Sequence, residues 1–154
     1  MKNIYKKLPS ERRGNSRFPT ITIIKEVVIE VRHHTLRKRI ILPAIMYNLS
    51  TGGIAIVTFD RVPVGAEITL NLKLAGINLK NVKGRVIRVE GKKMTFLIAI
   101  SFKKLNKDIK KIISKVASDA DLCETKILLG EKQACTFKCN YYDLCTNPMK
   151  KKAK

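Results

Sequence analysis

From Glu67 to Leu74 the chain alternates apolar and polar residues. Ile68, Leu70, Leu72 and Leu74 share one side, and Thr69, Asn71 and Lys73 the other. A period of two predicts a strand with one face buried. Leu79–Val89 and Met94–Phe102 read the same way, and Glu90-Gly91-Lys92-Lys93 between them is a hairpin signal. Upstream, Thr20–Val31 is rich in Ile and Val, and Ile40–Tyr47 and Ile54–Phe59 predict two more strands. Turns fall at His33–Arg39, at Asn48-Leu49-Ser50-Thr51-Gly52-Gly53 and at Asp60–Ala66, which holds Pro63 and Gly65. The stretch Glu11–Pro19 is polar and basic, with Gly14 and Pro19, and predicts a loop. About six short strands with turns between them argue for a small antiparallel barrel.

After Phe102 the period changes. Leu105, Ile109, Ile112, Ile113 and Val116 mark one face of a helix, with Lys107, Lys110, Lys111 and Lys115 on the polar side. Asn106 and Asp108 suit its N-terminus. This helix is expected to lay its apolar stripe on the barrel. The fold class is therefore mainly β: a six-stranded antiparallel barrel, a C-terminal helix and a small cysteine-rich tail. The expected divisions are a flexible segment at 1–10, barrel plus helix at 11–118, and an extension with a basic tail at 119–154.

Composition narrows the class. Hydrophobic residues make up 45% of the 154, enough for a real core. The first ten residues lack the apolar stretch of a secretion signal, and no apolar run is long enough for a membrane-spanning helix. A cytoplasmic location is expected, where cysteines are thiols or metal ligands. The net charge is +20, from 32 Lys and Arg against 12 Asp and Glu. Such an excess attracts phosphate in any form.

Two short motifs carry the functional reading. Arg13-x-x-x-Arg17, with Arg12 beside it, lies in the basic loop. Asn48-x-Ser50-x-x-Gly53 lies in the turn after the second strand. In this order, on this strand pattern, they resemble the PilZ domain over about Glu11–Phe102. Val62-Pro63-Val64-Gly65 before an alternating strand, and Ile98-Ala99-Ile100-Ser101-Phe102, fit the family's later pattern. Ala99 departs from the glycine of many members, and Asn48 stands where Asp is commoner.

The resemblance implies a six-stranded barrel that binds the bacterial second messenger cyclic di-GMP (c-di-GMP). Arg12, Arg13, Arg17, Asn48, Ser50 and Gly53 would be the ligand-binding residues. It implies a receptor that signals to a protein partner, not an enzyme, with the arginine loop closing on the barrel around the ligand.

The residue chemistry suits that ligand. Arginine forms bidentate hydrogen bonds to phosphate or to guanine O6 and N7, and stacks on bases. The Asn48 carbonyl can accept from guanine N–H groups, and the Ser50 hydroxyl can turn either way. Gly53, with Gly52, would allow close backbone approach or a positive φ. The alternative is a plain Asx-type turn.

A basic barrel that binds nucleic acid is the rival reading. Against it, aromatics are only 6%, with no Trp and no paired stacking platform.

Four cysteines, Cys123-x11-Cys135-x3-Cys139-x5-Cys145, fall after the barrel, and none occurs before it. Four thiols suit a zinc ion or a four-iron cluster. A zinc or iron–sulfur protein with the barrel as scaffold is thus a third reading. Reduced thiols and disulfides are the other states open to them. His33 and His34, flanked by Arg32 and Arg37, read as a solvated basic turn. No P-loop, G-x-S-x-G or H-E-x-x-H motif is present.

Overall fold

The alternating stretches are strands of one sheet. The computed structural model describes residues 17–19, 26–132, 135 and 138–145. Its strands are β1 (Arg17–Pro19), β2 (Glu26–Arg32), β3 (Ile40–Ser50), β4 (Gly53–Thr58), β5 (Glu67–Leu74), β6 (Ile77–Lys92) and β7 (Thr95–Phe102). The order β3-β2-β5-β6-β7-β4 closes on itself through pairing of β3 with β4. Every pairing is antiparallel. Six strands thus form the expected barrel, with no free edge among them.

Three register shifts help the sheet to curl. They fall at Tyr47, between Leu70 and Leu72, and at Ile87. At the second, the Asn71 side-chain Oδ1 accepts the Asn81 backbone N–H at 2.8 Å, so the irregular register leaves that donor satisfied. The inward residues Ile29, Met46, Ile56, Leu70, Leu79 and Ile98 are almost wholly buried.

Helix α1 spans Lys107–Leu128. The Asn106 side chain caps it, accepting the Asp108 N–H at 2.8 Å. Its buried face is Ile113, Val116, Ala117 and Ala120, which join the barrel's apolar cluster. Ile112, expected on that face, is instead 39% exposed. It sits at the margin of the stripe, next to the fully buried Ile113. Gly130, at φ 76°, adopts the left-handed conformation that ends the helix. The helix lies against β1, β3 and β6. It runs well past Val116, so Cys123 lies on the helix rather than beyond it.

The predicted loop Glu11–Pro19 also differs in its last three residues, which pair as β1 with the end of β3. Residues 11–16, 20–25 and the segment 1–10 lie outside the described residues. No helix among the described residues is long and apolar enough to cross a membrane.

Candidate functional site

The Asn48–Gly53 turn is built by its own backbone. The Ser50 hydroxyl, on a buried side chain, accepts the N–H groups of Gly52 and Gly53 at 3.3 and 3.2 Å and lies 3.3 Å from the Gly53 carbonyl, to which it donates. Ser50 therefore holds the turn's shape. The Gly52 carbonyl accepts the Phe102 N–H at 2.9 Å, which ties the turn to the end of β7.

Gly53 does not need a positive φ. A Cβ there would lie 2.1 Å from the Ile100 carbonyl oxygen, so close strand approach requires the glycine. Gly84 is confined by the same neighbour strand: its Cβ would lie 2.6 Å from Ile100 Cγ2 and 2.7 Å from the Ser101 oxygen.

β3 is flanked at this point on both sides. Asn48 stands between Ala55 of β4 and Pro19 of β1, and Ser50 is opposite Arg17. The sheet thus brings the last arginine of the basic loop to the turn that carries the second motif. Arg17 is exposed and Asn48 half-buried. Among the described residues, the Asn48 side-chain amide takes no part in holding the turn. Arg12 and Arg13 lie outside the described residues.

The pairing register extends this site around the barrel in a way that the motifs do not reveal. Gly53 faces Ser101, Ser101 faces Arg85, Arg85 faces Glu67, and Glu67 faces Arg32. These residues form an outward band beside the turn. Arg32, Lys83 and Lys103 line a small cleft of about 80 Å³ with Glu67 and Thr69. Ligand pockets usually measure at least ~300 Å³, so this cleft cannot enclose a dinucleotide. It can supply positive charge at the margin of a surface site.

Lys103 hydrogen-bonds Glu67. That bond and the lysine's charge hold the Glu67 carboxyl below its ordinary range. In sequence, Lys83 and Arg85 are simply the polar side of an alternating strand. Only the register shows which strand they face.

The cysteines lie on the later part of α1 and in the segment after it. Cys123 is on the helix, and Cys139 and Cys145 bracket a 3-10 turn at Tyr142–Leu144. All four cysteines are half-buried and none forms a disulfide. Burial pushes the Cys123 thiol up, and the charges of Cys145, Cys139 and Cys135 push it the same way. Burial pushes Cys139 up as well, opposed by the Tyr141 N–H that its sulfur accepts. Among the described residues, no three His, Cys, Asp or Glu side chains already stand as a formed metal site. His33 bonds locally to Thr35 at 2.6 Å and packs on His34, as a basic surface turn would.

A closed six-stranded barrel, with an arginine-bearing strand laid beside an Asn-x-Ser-x-x-Gly turn, defines a class of small barrels that present one polar turn at the surface. The chain belongs to the PilZ domain family, whose sequence model matches residues 11–117.

Solved structures share the fold. The PilZ domain with c-di-GMP of YcgR from Escherichia coli superposes with a TM-score of 0.53 at 13% identity, covering 78% of this chain and 98% of that one. The structure of YcgR in complex with c-di-GMP gives 0.54 at 14%, covering 78% and 50%. The inhibitor of motility MotI/DgrA of Bacillus subtilis gives 0.52 at 15%, covering 79% and 54%. The chain thus spans one whole PilZ domain and about half of the two longer proteins. No curated protein matches it.

Proposed function

We propose that this chain is a c-di-GMP receptor, holding the dinucleotide between the Arg12–Arg17 segment and the barrel surface at Asn48–Gly53. The observation that carries this reading is the pairing of Arg17 with Ser50, which joins the two motifs at one place. The family membership and the c-di-GMP named with the YcgR structures support the choice of ligand.

In this reading the arginines take phosphate oxygens and guanine edges by bidentate hydrogen bonds. Asn48 accepts from guanine N–H groups. Ser50 and Gly53 act indirectly: one shapes the turn and the other lets it sit close against β7. Arg85 and Arg32 add positive potential along the band. The protein acts as a receptor and not as an enzyme. Occupancy changes the surface around β1 that a protein partner meets.

Calorimetry with c-di-GMP on the full chain tests the proposal, with linear pGpG and GTP as comparisons. Saturable binding of the cyclic dinucleotide, tighter than either comparison ligand, is expected. No heat and no competition at high micromolar ligand would overturn it.

A further inference from the structure

The c-di-GMP reading leaves the four cysteines unused, and their placement is specific. Asp119 and Cys123 are four residues apart on α1 and so share a face. Asn140 donates to Asp119 Oδ2 twice, from its backbone N–H at 2.7 Å and from its side-chain amide at 2.9 Å. This clasp lays the residue next to Cys139 along the helix face that carries Cys123. Leu144, beside Cys145, is 4% exposed and joins the apolar cluster that includes Ala117 and Ala120. Cys139 and Cys145 are thus fixed on either side of a short turn whose two ends are both anchored.

Cys135 lies on the chain between the end of α1 and the clasped Asn140, so all four thiols fall on α1 or on the segment that returns to it.

We propose that Cys123, Cys135, Cys139 and Cys145 bind one thiophilic metal centre, a zinc ion or a four-iron cluster, that fastens the C-terminal segment to α1. Four thiolates are the ligand set of both. Each thiol gives up its proton on binding. A zinc ion with four thiolates carries a charge of about −2, which Lys126, three residues from Cys123 on α1, helps to offset.

Zn–S bonds of about 2.3 Å set an edge of roughly 3.8 Å between the sulfurs of a zinc tetrathiolate, to which the four side chains must close on binding. The iron cluster is served by a wider cage. Among the described residues after α1, Leu144 is buried and Tyr141 packs partly buried beside it against the core, and a piece this small needs a staple to hold one structure. The four cysteines share no residue with the Asn48–Gly53 turn, and the centre does not depend on the ligand proposed there.

The test uses the full chain, purified anaerobically with a thiol reductant and no chelator. Elemental analysis should find about one zinc or about four iron atoms per chain. A colourless protein identifies zinc, and a brown one with visible absorption identifies the cluster.

Cys139→Ser should lower the metal content about tenfold or more, whereas Arg13→Ala should leave it unchanged. Less than about 0.2 atom of either metal per chain, both as purified and after anaerobic incubation with zinc or with iron and sulfide, overturns the proposal. So does an intact mass that shows two disulfides in the protein as purified. The wild-type measurements decide the matter even if Cys139→Ser fails to fold.

Discussion

Arg17 and Ser50 face each other across the β1–β3 pairing. One opens the strand that leaves the basic segment. The other closes the turn with its buried hydroxyl. Two motifs 30 residues apart therefore meet because backbone hydrogen bonding places them together, before any ligand is considered.

Replacing Arg13 or Arg17 with Ala should weaken c-di-GMP binding by roughly 1.5–3 kcal/mol, the scale of a charge-assisted hydrogen bond. The melting temperature should change little, because Arg17 is exposed. Calorimetry of both single variants and the double variant checks this. Wild-type affinity in the double variant would remove the arginines from the site.

Asn48→Asp should keep or strengthen binding, because a carboxylate accepts N–H groups with charge assistance. Asn48→Ala should weaken it by about 1 kcal/mol. An Asp variant that binds no ligand, but melts like the wild type, would count against Asn48 as a guanine acceptor.

Gly53→Ala is predicted to act on the fold. Its Cβ would press on the Ile100 carbonyl at 2.1 Å, and the cost should be about 1–3 kcal/mol, as for other overpacked sites. Ser50→Ala removes the hydroxyl that holds Gly52 and Gly53 and should cost about 1 kcal/mol. Urea denaturation of both variants, without ligand, measures these effects. Unaltered midpoints would mean that the turn tolerates both changes.

Salt separates the receptor from the basic nucleic-acid binder. Affinity for c-di-GMP should fall only a few-fold between about 50 and 200 mM salt. A protein contacting 6–10 phosphates loses about 10³–10⁵ over that range. Titrations of c-di-GMP and of a mixed-sequence duplex at the two salt concentrations give the slopes directly.

The barrel was legible because alternation is a local signal: Ile68, Leu70, Leu72 and Leu74 are all buried as their period required. β1 was not, because three residues ending in proline show no period. Its pairing depends on backbone groups offered by Asn48–Ser50 of a distant strand. The helix was seen from Leu105 to Val116. Its later turns bury only Ala117 and Ala120, whose small side chains leave little apolar signal, the second set between Asp119 and Asp121.

The motif Asn48-x-Ser50-x-x-Gly53 was visible in the sequence, but the division of labour inside it was not. That Ser50 and Gly53 serve the backbone follows from their neighbours in space. The cysteines' number and type were equally plain. The return of the Cys139 segment to α1 rests on the length of the helix and on the Asp119–Asn140 clasp, neither of which spacing encodes.

α1 touches β1 at the barrel and carries Cys123 three residues beyond Ala120, the last residue it buries. At 1.5 Å per residue its 22 residues span about 33 Å. Its buried residues run from Ile113 to Ala120, so its middle turns are held against the barrel while its last two turns reach beyond the buried face. One helix thus joins the strand that begins with Arg17 to the segment that bears the cysteines, and the two share a single packed support.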